Sequence, residues 1–410
     1  MIENSEMNFS ELIEKTEKEP EENLPQLAKE VKNSPNKYFP ILLASFDENS
    51  SLMTPILGNL FRKYLKELIP DFLIPILEDA SSPSRFVWAS TFASEINLEA
   101  ADKFLVKALS NSKTQIVLAA VKALALRKSS EAVRGLKDFF LSTNDEVQLS
   151  AAIRYLLPLS EQFGAEFILN FPKYPIVRQI WILKFLSETK LKEALPIYTK
   201  AIKEEPEILG IFAIAGLGSL GDENSVKALA EVVKHKEWFL RKRAVDALGQ
   251  CRLSSAIPPL IRALSDSTIQ IRTAAIESLS KIGHFDLDCL IKEIVTDDHY
   301  QKIGLIKVFG QIKNEKLVDP LIKTLLDRST LFFSLDAIGD LGNVKAVPHL
   351  IPFLKDIEWF NRLNALEALG KIKPQNLKEI AQPCLEDPND MVRNSAHRIL
   401  GNHGNHNFSQ

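Results

Sequence analysis

The sequence predicts an all-α fold, an α-α superhelix of about twelve helical hairpins of 30–31 residues each. A short phrase of the type Leu-Gly-x-Leu-Gly recurs through the second half of the 410-residue chain. A second marker, the first apolar residue of an earlier helix, recurs with the same period and extends it into the first half. No alternating apolar pattern typical of strands competes with this helical spacing. We therefore expect one elongated stack rather than two or three separate domains.

The period of the repeat can be read from the recurring phrase. Its first small residue lies at Gly218, Gly249, Ser280, Gly310, Gly339, Gly370 and Gly401. Successive positions are therefore 31, 31, 30, 29, 31 and 31 residues apart. The upstream marker lies at Leu42, Leu73, Leu105, Leu136, Phe167, Ile197, Leu229, Leu260, Leu290, Leu321, Leu350 and Ile380. Because one helical hairpin cannot bury its own apolar face, regular neighbours predict stacking around a shared core.

Each repeat has the same order of elements. A proline near its start, such as Pro258, predicts the first turn of a short helix, where a missing N–H group is tolerated. An Asp-containing turn follows, and then a longer helix with apolar residues at helical spacing, as at Leu240 and Leu248. The glycine that comes next, Gly249 or Gly370, predicts a left-handed C-terminal cap.

The repeats are more regular in the second half of the chain. Residues 191–402 are near-consensus repeats, whereas residues 38–190 are diverged repeats. Residues 1–37 are acidic, and we expect them to supply a helical cap, which a repeat stack needs at its end. Residues 403–410 are a polar tail.

The repeat resembles the HEAT repeat, in the short bacterial form that also occurs in phycobilisome lyase subunits, among the armadillo-like α-solenoids. The family motif is Val/Ile-Arg, then Ala, then Ala-Leu-Gly, and residues 240–249 match it well. Eight residues before the phrase residue, five of the seven C-terminal repeats carry a basic side chain: Arg241, Arg272, Lys302, Arg362 and Arg393. The resemblance implies that these side chains form a structural ladder with turn aspartates such as Asp266, Asp327 and Asp356.

Composition argues against several functions. Lys plus Arg (50) nearly balance Asp plus Glu (53), whereas a dedicated nucleic-acid binder is normally basic. Cys251, Cys289 and Cys384 are too few and too widely spaced for a disulfide framework, so we expect a cytoplasmic protein. The longest uncharged apolar stretch, 208–221, is fourteen residues long, too short to span a bilayer, so we expect no membrane association.

Known catalytic motifs do not fit the sequence. The run 216–221 satisfies G-x-G-x-x-G, but its glycines coincide with the repeat phrase at the end of a helix, where no dinucleotide site can form. The histidines are His235, His284, His299, His349, His397, His403 and His406, and none stands in a His-Glu pair. The family resemblance implies that a HEAT-repeat metal hydroxylase would need such pairs for its iron ligands. We therefore expect no catalytic, cofactor or metal site.

Two tryptophans occupy equivalent positions four repeats apart. Trp238 and Trp359 each stand at the turn into a second helix, about 40 Å from one another at roughly 10 Å per stacked repeat. That separation is too large for both to hold one flipped base, as a DNA glycosylase would require. They are either turn-packing residues or paired aromatic anchors for a partner.

The inner face, which second helices line in this family, supplies the other candidate binding residues. Three residues before the phrase residue, one column contains Asp246, Glu277, Asp336 and Glu367. Seven residues before it, a second column contains Lys242 and Leu363. The helix 208–218 is apolar all round, so either the chain or a docked partner segment must cover Ile211, Phe212 and Ala215.

These observations favour a non-enzymatic, cytoplasmic scaffold that binds one or more proteins along its concave surface. An alternative is an accessory subunit of an enzyme, as in the bilin lyases, which would need a ligand pocket near Ile211 and Phe212. Nucleic-acid binding ranks third, because the inner columns supply no basic stripe. The sequence does not identify the partner.

Overall fold

The computed structural model describes residues 8–48 and 50–401. All regular secondary structure in these ranges is helical, so the predicted all-α class is confirmed. The chain divides into two compact units, one up to Trp181 and the other from Ile182 onward. No helix within the described ranges is both long and apolar enough to cross a membrane.

The first unit is a series of short helices. They are α1 (Phe9–Lys18), α2 (Pro20–Asn33), α3 (Pro35–Glu48), α4 (Ser50–Asn59), α5 (Ile69–Asp79), α6 (Pro83–Glu95), α7 (Asp102–Ala108), α8 (Thr114–Arg127), α9 (Ser130–Ser142), α10 (Glu146–Leu156), α11 (Ser160–Asn170) and α12 (Ile176–Thr189), which crosses the division between the units. A π-helix follows α4 at Leu60–Tyr64, and 3-10 turns lie at Lys66–Leu68, Glu99–Ala101, Leu157–Leu159 and Phe171–Lys173. In the predicted N-terminal cap, α1 and α2 bury Leu12, Leu27 and Val31.

The second unit repeats a short helix and a longer helix. Its helices are α13 (Leu195–Glu204), α14 (Gly210–Leu220), α15 (Glu223–Val232), α16 (Trp238–Cys251), α17 (Ile257–Ala263), α18 (Ile269–Ile282), α19 (Leu287–Glu293), α20 (His299–Ile312), α21 (Val318–Thr324), α22 (Leu331–Leu341), α23 (Val347–Leu350), α24 (Trp359–Ile372), α25 (Leu377–Ala381) and α26 (Asp390–Ile399). The 3-10 turns are Lys192–Ala194, Ser254–Ala256, Gly283–Phe285, Glu315–Leu317, Val344–Ala346, Ile351–Lys355 and Gln382–Glu386.

Second helices of consecutive repeats pack side by side in the second unit, in the order α14, α16, α18, α20, α22, α24 and α26. Their apolar stripes point into the stack, and Leu240, Val245 and Leu248 are fully buried. Burial of a leucine side chain contributes about 1.5–3 kcal/mol, so each repeat is stabilised mainly by its neighbours. The predicted stacking of helical hairpins is confirmed.

Gly249 and Gly370 do not have the role that the sequence predicts. Gly249 lies inside α16 and Gly370 lies inside α24, and each helix continues for two further residues. The left-handed caps are Arg252 and Lys373, with φ of 53° and 54°. A Cβ atom at Gly249 would lie 2.8 Å from Cβ of Ser278, so this glycine permits close approach of neighbouring second helices.

The implied ladder of basic and acidic side chains is confirmed for three of its five basic residues, whereas Arg272 and Arg393 form no ion pair with the aspartate of a following turn in the described part of the chain. Arg241 donates from Nε to Oδ2 of Asp266 at 2.7 Å and from Nη2 to Oδ1 at 3.0 Å. Equivalent pairs join Lys302 to Asp327, at 2.9 Å, and Arg362 to Asp387, at 2.7 Å. Asp356 is also paired, but with Arg328 from the preceding turn. These three pairs tie α16, α20 and α24 to the turn of the next repeat.

Candidate functional site

The structure brings two of the predicted acidic residues into one cleft between α16 and α18. Asp246 lies on α16 and Glu277 on α18, at equivalent positions in consecutive repeats. The cleft has a volume of about 710 Å³. Its lining residues are Arg243, Asp246, Gly249, Gln250, Arg252, Glu277, Ser278, Lys281, His284 and Phe285.

Small residues at the phrase position set the width of this cleft. Gly249 faces Ser278, and the Ser278 hydroxyl donates to the Val245 carbonyl at 3.4 Å, so no large side chain separates the two helices. Asp246 stands one helical turn before Gly249, Glu277 stands directly before Ser278, and both acids line the cleft. They therefore face the same open space.

The cleft contains charged groups with few partners inside the chain. Lys242 donates to Asp246 at 2.8 Å. Within residues 8–48 and 50–401, the Glu277 side chain makes no hydrogen bond or ion pair, and neither do the side chains of Arg252 and Lys281 at the same cleft. A free carboxylate beside free cations suits a ligand that carries both a cationic and an anionic group.

A histidine stands at the edge of the cleft. His284 belongs to the 3-10 turn after α18, and its ring centroid lies 4.1 Å from that of Phe285. Its side chain is exposed, so both ring nitrogens are accessible. Histidine is the side chain that most often transfers protons in enzymes. The cleft thus combines a carboxylate, cations and a group that can exchange a proton.

Four ionisable residues of this cleft were not predicted as site residues. Arg243, Arg252, Lys281 and His284 lie beside the two acids, but they come from different turns of α16, α18 and the segments after them. Arg243 has no equivalent basic residue in the other repeats, so it belongs to no column. Arg252 and His284 follow the ends of helices, where sequence spacing does not fix the direction of a side chain. In the sequence, the only signal for these four residues is the number of positions that separates each of them from the phrase residue of its repeat.

The other predicted acidic residues are paired within the chain. Asp336 accepts a 2.7 Å hydrogen bond from Lys371 of the next repeat. Glu367 pairs with Arg398 and accepts a 2.6 Å hydrogen bond from the Ser395 hydroxyl. These carboxylates stabilise contacts between repeats and do not belong to the cleft.

The predicted apolar residues of the inner face are only partly covered. Ile211 and Phe212 on α14 are half-buried and Ala215 is exposed, while Lys184 lies 5.3 Å above the Phe212 ring. Neither Ile211 nor Phe212 lines the cleft at Asp246 and Glu277. Leu363, on α24, is half-buried and packs against the apolar cluster around Leu366 and Ala396.

Trp238 and Trp359 begin α16 and α24 and remain partly exposed, at 51% and 41%. Each makes an edge-to-face contact with the next residue, Phe239 or Phe360, at centroid distances of 6.5 and 6.1 Å. They therefore pack at the turn and still present aromatic surface to solvent. They do not line the cleft.

The residues of the chain do not fit a metal centre built from His-Glu pairs. No such pair occurs in the sequence. The structurally described residues contain no group of three or more His, Cys, Asp or Glu side chains arranged to hold a metal ion. His403 and His406, in the polar tail, lie outside the described residues.

The glycine-rich run 216–221 has structural roles. Gly216 packs against Tyr198, and Gly218 lies close to Ala247 of the next second helix. Gly221, with φ of 61°, is the left-handed cap of α14. The run stands at the end of a helix, so the prediction that it is not a dinucleotide site agrees with its position.

Comparison with known protein families matches residues 195–280 and 235–303 to the family described as HEAT repeats. The chain contains HEAT repeats. The resemblance inferred from the sequence is therefore confirmed, and the HEAT repeats matched here include both helices that form the cleft.

A curated relative changes the functional interpretation. The chain is 31% identical over 199 residues to deoxyhypusine hydroxylase of Candida albicans, a match that covers 46% of this chain and 62% of the relative. The HEAT-repeat chain thus spans about three fifths of that protein's length. The relative is an enzyme, and it overturns our expectation of a non-enzymatic scaffold. The expectation relied on the missing His-Glu pairs, which exclude one kind of metal site but not enzymatic function.

Two solved structures are weakly similar to the chain. Human deoxyhypusine hydroxylase in complex with glycerol is 18% identical, with a TM-score of 0.29, and the match covers 59% of this chain and 96% of that one. A variant of Kap121p is 13% identical, with a TM-score of 0.41, and the match covers 92% of this chain and 47% of that one. We infer no site and no activity from these two structures.

Proposed function

We propose that this chain is a HEAT-repeat enzyme that acts on a protein carrying a long amine side chain. The observation that carries the proposal is the 31% identity with deoxyhypusine hydroxylase over 199 residues. By its name, that enzyme hydroxylates deoxyhypusine, a long lysine-derived side chain with ammonium groups. The protein partner expected from the sequence is, in this proposal, the protein that bears the substrate side chain.

We place the amine in the cleft between α16 and α18. Glu277 is the carboxylate that is free to accept hydrogen bonds from an ammonium group, because Asp246 is already paired with Lys242 at 2.8 Å. Arg252 and Lys281 can bind carbonyl or carboxylate oxygens of the substrate backbone. A hydrogen bond to a charged group contributes about 1.5–3 kcal/mol, so Glu277 is the residue on which affinity depends most.

His284 is the residue we assign to proton transfer at this cleft. It is exposed and lies beside the Phe285 ring, which limits the positions of the imidazole. Because the chain's residues do not fit an iron centre made of His-Glu pairs, we assign the substrate and the binding groups and derive no step through a metal.

Binding and turnover of a peptide that contains deoxyhypusine test the proposal. We expect calorimetry to show binding to the full chain, with the Glu277→Gln variant at least tenfold weaker. Asp336→Asn is the matched control, because Asp336 stands at the same position of another repeat but is paired with Lys371. Mass spectrometry of the peptide after incubation with O₂ and a two-electron reductant should show the gain of one oxygen atom, the other oxygen atom leaving as water, and this gain should be lost with His284→Ala.

Two results would contradict this function. Absence of binding by the wild-type chain, or equal binding by Glu277→Gln, would show that the cleft does not take the amine. Binding without any change in peptide mass, under both aerobic and anaerobic conditions, would show that the chain is not an enzyme for this substrate.

We also propose that the enzyme works in the cytoplasm. The support is that Cys251, Cys289 and Cys384 are free thiols, as is usual in a reducing compartment. Fractionation of cells that express the chain, with immunodetection, checks this location.

A further inference from the structure

A second cleft lies in the first unit, where α4, the π-helix and α6 meet. Its volume is about 290 Å³, at the lower limit of small-molecule sites, so it suits a ligand smaller than a nucleotide. The lining residues are Thr54, Pro55, Gly58, Asn59, Arg62, Trp88, Thr91, Phe92 and Glu95. None of these residues takes part in the function proposed above.

The π-helix is the first unusual feature of this cleft. The Leu65 N–H group donates to the Leu60 carbonyl at 3.1 Å, across five residues instead of the usual four. Such turns are rare in proteins and occur frequently at functional sites. The widened turn carries Arg62 at its centre, and Arg62 lines the cleft.

Opposite charges stand together at the mouth. Arg62 forms an ion pair with Glu95 of α6, and its guanidinium lies 4.9 Å from the centroid of the Phe92 ring. Both charged side chains remain about half exposed, so solvent and ligands can reach them. A ligand with a single negative charge would be attracted by Arg62 but repelled by Glu95. A ligand that carries both charges can pair with each of them.

The interior is apolar and contains free hydrogen-bonding groups. Gly58 is buried, yet a Cβ atom placed there would meet nothing within 4 Å, so space is left beside α4. Trp88 is only 8% exposed and stacks on Phe92 with a centroid distance of 5.5 Å. Its indole N–H group donates no hydrogen bond to any described residue, nor does the Asn59 side-chain amide.

The hydroxyl groups that line the cleft are already satisfied. Thr54 donates to the Ser50 carbonyl at 2.7 Å, and Thr91 donates to the Val87 carbonyl at 2.8 Å. These threonines therefore contribute their methyl groups, and no free hydroxyl group, to the wall of the cleft. The wall is apolar, and its free donors are the Trp88 indole and the Asn59 amide.

We propose that this cleft binds a small free α-amino acid with an apolar side chain. Its carboxylate pairs with Arg62 and its ammonium group with Glu95, so that the ligand replaces the ion pair between them. The apolar side chain occupies the space beside Gly58 and Trp88. The Trp88 and Asn59 donors hold the ligand carboxylate from the interior side.

Calorimetry on the full chain with L-leucine, L-valine and L-phenylalanine tests the proposal. We expect at least one of them to bind, and acetate and methylammonium, which carry one charge each, not to bind at the same concentrations. Glu95→Gln should weaken binding at least tenfold. Trp88→Phe should remove the change in tryptophan fluorescence that accompanies binding.

The Gly58→Leu variant is the decisive one, because residue 58 lines the cleft and a Cβ atom placed there meets nothing within 4 Å. We expect wild-type circular dichroism and an unchanged or higher melting temperature together with loss of binding. If Gly58→Leu has a lower melting temperature than the wild type, the binding measured for Glu95→Gln decides whether the proposal stands. No binding of any of the three amino acids by the wild type, or unchanged binding by Glu95→Gln, overturns the proposal. Glu277→Gln should bind them normally, which separates this site from the amine cleft.

Discussion

The ring of Tyr198 packs directly on the backbone of Gly216, so that a Cβ atom at residue 216 would overlap the ring atoms Cε1 and Cζ. Tyr198 lies on α13 and is fully buried, and Gly216 lies on α14. This contact sets the distance between the two helices of one hairpin. Residue 216 must therefore be glycine because a side chain would not fit against the ring, and not because of its backbone angles.

Gly216→Ala should lower the free energy of unfolding by about 2 kcal/mol, because the buried tyrosine ring has nowhere to move. Urea denaturation followed by circular dichroism measures this change. Gly58→Ala is the matched control, since it is also a buried helical glycine but has open space around it. There the better helix propensity of alanine should raise stability by up to about 1 kcal/mol. Equal losses in both variants would contradict the role of the contact.

Tyr198→Phe should raise the free energy of unfolding by about 1 kcal/mol, because it removes a buried hydroxyl that has no hydrogen-bond partner in the described part of the chain. The same burial raises the pKa of Tyr198. Chemical denaturation of both proteins measures the difference, with the exposed Tyr300→Phe as a control that should change little. Destabilisation by Tyr198→Phe would show that the hydroxyl has a partner.

Lys313→Gly should stabilise the chain by about 1 kcal/mol. Lys313 is the left-handed cap of α20, with φ of 53°, a conformation that costs a side-chain-bearing residue about 1–2 kcal/mol. Gly342 has the same role after α22, with φ of 73°, so Gly342→Lys should shift stability in the opposite direction. Differential scanning calorimetry compares the melting temperatures, and a lower melting temperature for Lys313→Gly would show that the lysine side chain stabilises the cap.

Stability should fall as the pH is lowered from about 4 to about 2. Hydrogen bonds from Lys302 and Ser329 lower the pKa of Asp327 to about 2 from its ordinary 3.8. The unfolded chain therefore binds a proton first as pH falls, so this stabilisation is complete above pH 4 and is lost toward pH 2. Asp387 acts in the same direction, because hydrogen bonding by Arg362 lowers its pKa.

Urea titrations at several pH values measure this dependence. Asp327→Asn should have a shallower slope between pH 4 and pH 2 than the wild type. Lys302→Gln should reduce the slope similarly, and the double variant should match Asp327→Asn. If the effects of the two substitutions on the slope add up in the double variant, the pairing of Lys302 with Asp327 is contradicted.

The repeat period was sufficient to predict the helical class and the stacking, because spacing of apolar residues fixes which faces must be buried. The pairing of Arg241 with Asp266 also followed from the family resemblance. The role of Gly249 did not, since a glycine near a helix end is compatible with a cap and with a close helix contact. The choice depends on where the neighbouring helix lies, as the position of Ser278 shows.

The candidate sites were less predictable. The sequence placed Asp246 and Glu277 in one column, but it did not show that Lys242 pairs with the first and leaves the second free. The prediction of a non-enzymatic protein was wrong because the lack of His-Glu pairs, which argues against one kind of metal hydroxylase, was taken to exclude every enzyme. In the first unit, the cleft at Arg62 depends on a π-helical turn, and a widened turn has no apolar periodicity by which a sequence reveals it.

The ladder of basic residues and turn aspartates has a missing step next to the amine cleft. Arg272 donates to the carbonyl oxygens of Asp266 and Ser267 and lies over the Tyr300 ring, at 4.2 Å, whereas Asp297 has no ion-pair partner in the described part of the chain. The repeat that starts at α19 is therefore held to its predecessor without the ion pair that Arg241 and Arg362 form at their junctions. Amide hydrogens at this junction should exchange with deuterium sooner than those at the junctions joined by Arg241 or Arg362.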